Sequence, residues 1–226
     1  MQIILILLFS ILPKQDFQWV SFEMTKRTTA NGSMTVADAT VCYNSTGEIV
    51  TYFQRPLEMY ILNNTLGEYQ IYNPSLNTVV RSVDNRLSSQ NTTFIYFLLG
   101  QSSDMGLESS GFILRDSKVE DNLLVSEYTA PTEIRDRLDY VELVSNGRSP
   151  VFMGYIDRKG NYTRKTYYYD YEIIGNFDLP KSITEIDFVN GDSIVSKTTF
   201  VNFKFDDSSD LELVNYKVPD NAKLIK

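Results

Sequence analysis

Between positions 17 and 83 the chain alternates β-branched and aromatic runs with short turn-forming clusters, among them 34–43, NSTG, 48–54, RP, 57–62, NNTLG, 68–72, NPSLN and 78–83. Asn, Gly, Pro and Ser adopt the dihedrals of tight turns, and the runs between them suit a pleated surface, so the segment predicts successive antiparallel hairpins. The pattern resumes after Gly111 with runs at 112–119, 123–128, 140–145, 151–156, 162–173, 183–189 and 194–205, with DRKGN and NGD among the turns. Roughly ten or eleven strands in up-and-down order exceed a small sandwich and predict one large, curled antiparallel sheet or barrel.

Only the middle of the chain breaks this rhythm. In SSQNTTFIYFLLGQSSDMGL, Asn91 or Thr92 is a cap candidate, Phe94, Ile95, Tyr96, Phe97, Leu98 and Leu99 form an apolar block, and Gly100 is a stop. The segment predicts a short helix followed by a break and a second helical turn at Ser102 or Ser103, with a buried strand as the competing reading. A second helix is expected in PTEIRDRLDY, where Pro131 sits at the first turn and Ile134 and Leu138 are four apart.

Alternation gives the faces. Ile49, Thr51 and Phe53 share one side and Val50 and Tyr52 the other, while Leu57, Met59 and Ile61 oppose Tyr60 and Leu62. Both sides are apolar there. Tyr167, Tyr169, Tyr171 and Ile173 read as one interior wall, with Tyr168, Asp170 and Glu172 facing water. A sheet that is two-sided at one end needs a cover for its extra apolar face, and the block at 94–99 is the expected cover.

Inventory removes most catalytic kits. The 226 residues contain no histidine and one cysteine, which excludes Ser-His-Asp and Cys-His sites, His-ligated metals and a CxxC pair. Cys42 reads as a small buried apolar residue. A net charge of −8 with scattered Lys and Arg leaves no footprint for nucleic acid or an anionic membrane. No cofactor is expected. Asp206, Asp207, Asp210 and Glu212 lack a calcium-loop spacing and read as a solvated loop. Asn-X-Ser/Thr tripeptides begin at Asn31, Asn44, Asn63, Asn91 and Asn161. They suit a secreted glycoprotein, but a chain with one cysteine is no disulfide-stapled extracellular domain, so a bacterial periplasm is the expected compartment. The apolar run at 3–12 is too short to span a bilayer and matches the core of a secretion signal. Residues 1–15 are therefore expected to be a signal peptide and 16–226 one domain.

The run GEIVTYFQRPLEMYILNN, then LGEYQIYNPSLNTVV, then TTFIYFLLGQSSDM resembles the periplasmic lipoprotein-carrier (LolA-like) family in order and spacing. The shared features are a strand ending in Arg-Pro, a strand ending in Tyr-Asn-Pro, an apolar lid helix and a Ser-Ser-Asp break. The C-terminal VNYKVPDNAKLI is similar to the family's closing strand. This resemblance implies an antiparallel, unclosed half-barrel whose concave apolar face is covered by a short helical lid. It also implies a non-enzymatic, monomeric carrier of lipoprotein acyl chains to the outer membrane. Its partners would be an inner-membrane lipoprotein-releasing transporter and an outer-membrane acceptor. Arg55 matches the family arginine that latches the lid through helix carbonyls; on its residues alone it reads as a strand-end charge reaching solvent. The acyl cavity is expected to be lined by Phe53, Leu57, Met59, Ile61, Phe94, Ile95, Phe97 and Leu98. The family's amphipathic helix ahead of the first strand has no counterpart before FQWVSFEMTKR.

Two other classes compete. A surface β-domain binding glycans would expose the aromatics at 167–171 and have no lipid cavity. A hydrolase using carboxylates alone would place an Asp/Glu pair across a cleft, and no strand-end pair in the sequence suggests one.

Overall fold

The computed structural model describes residues 17–189 and 191–225, so the expected signal segment lies outside the described residues. Fourteen strands are found among them: β1 (Trp19–Ala30), β2 (Ser33–Asn44), β3 (Ile49–Arg55), β4 (Met59–Asn63), β5 (Glu68–Asn73), β6 (Thr78–Val83), β7 (Ile113–Glu120), β8 (Leu123–Thr129), β9 (Tyr140–Asn146), β10 (Ser149–Ile156), β11 (Tyr162–Ile174), β12 (Phe177–Val189), β13 (Asp192–Phe205) and β14 (Lys223–Leu224). They form one sheet in the order β14-β6-β5-β4-β3-β2-β1-β13-β12-β11-β10-β9-β8-β7. The two ends of this order do not meet, so the sheet is unclosed. Most junctions join strands consecutive in sequence. The antiparallel β1–β13 pair closes the two halves, and β14 adds to β6 in parallel.

Local chemistry accounts for the meander. Asn31 and Gly32 between β1 and β2, and Asp121 and Asn122 between β7 and β8, all have positive φ, as a two-residue hairpin turn needs to match the strand twist. Asn44 and Asn64 begin the next tight turns and each accepts main-chain N–H bonds through its own Oδ1. The fourteen exceed the expected ten or eleven: they are the twelve runs given above with β1 before them and the two-residue β14 after, and β12 starts at Phe177 rather than at 183 without adding a strand.

The inner face is defined by what packs together. Val20, Val41, Ile49, Tyr128, Leu143, Met153, Tyr168, Ile183 and Phe200, drawn from nine strands, belong to one buried cluster with Phe94, Ile95, Phe97 and Leu98. In a flat sheet β3 and β8 would stand about 38 Å apart at eight strand spacings, so this cluster exists only because the sheet curls round it. The helix at its centre is α1 (Thr93–Leu98).

Two breaks in alternation tighten the curl. Asn202 has φ +58, and the β1–β13 register shifts between Ser21 and Glu23, so Phe200 and Phe203, three apart, both turn inward onto Phe22. Asp170, at φ +56, does the same between Tyr168 and Tyr171. The expected tyrosine wall is corrected by this: Tyr168 is the interior residue at 2% exposure, Tyr171 re-enters beside Phe97, and Tyr167 is 38% exposed.

The helix expected from Pro131 is a single 3-10 turn, Thr132–Ile134. Here β8 must return at once to β9. The Ala130 N–H donates to Asp139 C=O, and the Arg135 guanidinium holds the Ala130 carbonyl from within the loop. Residues 102–111 are likewise turns, without the second helix expected there.

The outer face of β3–β6 has its own cover. Past α2 (Leu211–Val214) the C-terminal arm lays Tyr216 and Val218 over Tyr60, Leu62, Tyr72 and Val79. Tyr216 stacks on Tyr60 at 3.9 Å, and Tyr60 on Tyr52 at 4.5 Å. The extra apolar face inferred from Val50, Tyr52, Tyr60 and Leu62 is therefore covered by this arm, not by α1.

Candidate functional site

α1 is two turns of almost continuous apolar side chain, inserted where the curled sheet would otherwise hold a hollow. Phe94 lies 4.7 Å from both Phe22 and Phe200 and stacks on Phe203 at 5.7 Å; Phe97 lies 5.7 Å from Tyr168. The helix is kept short by its own end. Leu99, Gly100 and Gln101 N–H groups cap the carbonyls of Ile95, Phe97 and Tyr96, and Gly100 takes φ +66. The following turns continue the plug with Met105 and Leu107, both buried. They lock onto the helix at Gly106, where a Cβ would stand 2.3 Å from the Tyr96 ring.

The expected lining residues divide into two groups. Phe94, Ile95, Phe97 and Leu98 are buried in the core. Phe53, Met59 and Ile61 share the face of Ile49 by register, but lie beyond the buried cluster and are half-exposed. They form an apolar continuation of the inner face, flanked by Ala39 on β2 and Ile71 on β5. Leu57 sits in the β3–β4 turn at 53% exposure and lines nothing.

Arg55 departs from the expected latch. Its guanidinium pairs with Asp38 of the adjacent strand, and its side chain is 69% exposed. The Ile95, Tyr96 and Phe97 carbonyls of α1 already have main-chain donors. The structure thus places Arg55 at a strand end, the reading its residues alone supported. The Asp38 carboxyl is held below the usual range, first by the Thr25 hydroxyl and then by Arg55.

Beyond α1 the inner face turns polar. Register places Thr166, Glu185, Ser196 and Thr28 in one row across β11, β12, β13 and β1, with Arg164 and Asp187 in the next row toward the open end. Lys26 pairs with Glu185 at 3.5 Å and Arg164 with Asp187 at 2.5 Å. Two cations and two carboxylates thus neutralise one another. Among the described residues no group of side chains is arranged to hold a metal.

At the seam between these halves lies Tyr168. Its ring is buried against Phe97, and its hydroxyl is the buried side-chain polar atom without a hydrogen-bond partner among the described residues. An unpaired buried hydroxyl costs about 1–3 kcal/mol. Burial also pushes its ionisation well above the usual tyrosine range, so it remains a donor. Tyr171 differs, because its hydroxyl donates to the Pro150 carbonyl.

The remaining sequence candidates are structural. Cys42 is buried, and burial pushes its thiol up to about 12. Asp206 accepts from the Gln18 and Trp19 N–H groups, Asp207 caps a 3-10 turn, and Asp210 accepts from Ser21, so the expected solvated loop pins the start of β1. Tyr169 bonds Thr184, and Tyr168 and Tyr171 turn inward, which leaves the exposed Tyr167 packed on Phe152 at 5.2 Å as the outward aromatic of the 167–171 segment. A cleft of about 770 Å³ between the C-terminal arm and the outer face, bordered by Val50, Leu62, Arg81 and Lys217, had no signal in the sequence.

No protein-family model and no curated protein matches this sequence. Solved structures do match it. A LolA superfamily protein from Nitrosomonas europaea superposes with a TM-score of 0.57 at 14% identity, over 88% of this chain and 90% of the other. A DUF1329 family protein from Desulfovibrio piger gives 0.61 at 13% identity, over 89% and 92%. A domain from Vibrio parahaemolyticus assigned to outer membrane lipoprotein sorting gives 0.57 at 13% identity, over 85% and 88%. Superposition on these proteins over most of each chain makes the fold of this chain, an unclosed antiparallel sheet curled round a short apolar helix, LolA-like.

Proposed function

We propose that this protein is a periplasmic carrier that shelters the acyl chains of lipoproteins or related lipids and delivers them toward the outer membrane. One observation carries the reading: the hollow of an unclosed, LolA-like sheet is filled by a six-residue helix with four buried apolar side chains, rather than by a layer of structure. Each buried methylene contributes about 0.8 kcal/mol, so an acyl chain needs on the order of 10 kcal/mol of apolar shelter to cross water. A carrier whose empty cavity is occupied by its own plug gains on loading only the difference between burying the acyl chain and burying the plug. That keeps loading reversible. The half-exposed Phe53, Met59 and Ile61 extend the apolar track from the plug toward solvent, giving the chain a place to begin. The apolar run at 3–12 serves export in this reading. An inner-membrane releasing transporter and an outer-membrane acceptor are the partners.

The test is saturable binding of a solvatochromic fatty-acid probe, with competition by long-chain lipid. Met59→Glu should weaken binding at least tenfold without unfolding the sheet, because a carboxylate in the acyl path has to be desolvated at a cost of several kcal/mol. Absence of saturable binding by folded wild type overturns the proposal.

A further inference from the structure

We propose that Tyr168 and the polar half of the inner face form a head-end subsite, which recognises the carbonyl of an acyl ester or amide and accommodates a neutral or zwitterionic head. This deepens the carrier reading and rests on it. The carbonyl requirement comes from Tyr168. It is a permanent donor, nine-tenths buried, with no acceptor among the described residues, and its ring touches the plug at Phe97. A chain that displaces Phe97 packs against the ring that carries this hydroxyl. An ester or amide carbonyl, the first polar atom met at the top of an acyl chain, supplies the missing acceptor. A bare alkyl chain leaves the hydroxyl as it is.

The kind of head follows from what lies next along the strand. From Tyr168 on β11 the inner-facing residues continue through Thr166 to Arg164, and across the sheet stand Glu185, Asp187 and Lys26. These charges are mutually paired, so the patch has no net charge to draw a polyanion, and a chain of net charge −8 opposes one further. Hydroxyls, amides or a zwitterion can instead exchange with the hydrogen bonds already present. The plug and the polar patch therefore divide a ligand at its carbonyl, with tail on one side and head on the other.

The experiment compares monopalmitoyl glycerol with its ether-linked counterpart, which has the same tail and head and lacks the carbonyl, in displacement of a fluorescent acyl probe from wild type and Tyr168→Phe. Wild type should prefer the ester by about five- to tenfold, the value of one hydrogen bond to an otherwise orphaned donor. Tyr168→Phe should lose that preference while keeping ether affinity, and should unfold at a higher temperature because the orphan hydroxyl is gone. If wild type and Tyr168→Phe show the same ester-to-ether ratio, the subsite is overturned and the carrier reading stands. If folded wild type binds neither compound, both fall.

Discussion

At the scale of single residues, Arg55 keeps the solvent-facing place its own chemistry suggests rather than the latch the family resemblance implies, and Tyr168 takes an interior place that alternation did not give it. A guanidinium in an apolar run invites a functional reading, yet here it meets a carboxylate one strand away and remains in water. Exposed pairs of this kind contribute little to stability. Arg55→Leu should therefore leave the release rate of an acyl ligand within about twofold of wild type, because no latch is broken; a tenfold slowing would restore the latch. In the same variant the Asp38 carboxyl, followed by NMR titration, should rise only part of the way to the normal carboxylate value. Its first support is the Thr25 hydroxyl, which remains. Tyr168 looks like one member of a common aromatic run, and its importance lies in a hydrogen bond that it does not make.

At the scale of elements, α1 is the piece whose stability and function conflict. Its aromatic side chains join the buried core cluster, while its backbone is held by a few main-chain bonds at either end. Phe97→Ala should cost about 3–5 kcal/mol, as large-to-small changes of buried aromatics do, measured by urea unfolding. The carrier reading adds a sharper expectation. Amides of residues 95–101 should exchange with solvent through a local opening, faster than those at the centre of β1 and β13, which are paired on both sides. Equal protection of the helix and these strands, in hydrogen exchange followed by mass spectrometry, would mean that α1 opens only when the whole protein unfolds. A plug of that kind could not be displaced by cargo.

At the scale of the whole molecule, charge sets the pH limits. Asp38, Asp84, Asp157 and Asp207 all hold their protons less tightly than free aspartate; the Arg86 side chain takes Asp84 to about 2, and the Asn161 and Ser209 N–H groups depress Asp157 and Asp207. Depressed carboxylates stabilise the folded state fully above about pH 4, and that contribution drains away as pH falls through their folded values. The chain has no histidine to titrate near neutrality. At the alkaline end the Glu58 hydrogen bond takes Tyr52, and burial takes Tyr216, up to about 12. A raised folded value adds stability that is complete below the unfolded value near 10 and is lost as pH rises beyond it. Thermal unfolding should therefore show a plateau from about pH 5 to 8, an acid decline below about pH 4, and an alkaline decline that begins near pH 9 with the raised Cys42 thiol and steepens above about pH 10 with the tyrosines. A sloping midpoint between pH 5 and 8 would contradict this.

What the sequence determined by itself is local. Alternation and turn residues specified the hairpins from β2 to β6, the two-sided apolar character of β3 and β4, and a short helix ending at Gly100, because each depends on neighbours a few residues apart. Family-like motifs pointed further, to an unclosed sheet round a helical plug. Tertiary structure alone decided which side of the sheet each cover meets. Positive φ at Asp170 and Asn202 reverses alternation without a glycine to signal it, which placed Tyr168 rather than Tyr167 inside and brought Phe200 and Phe203 together. The C-terminal arm reached the outer face of β3–β6 from more than a hundred residues away, and Asp38 captured Arg55 across a strand pair. Such outcomes depend on curl and register, which accumulate over the whole sheet and leave no trace in any one stretch of the chain.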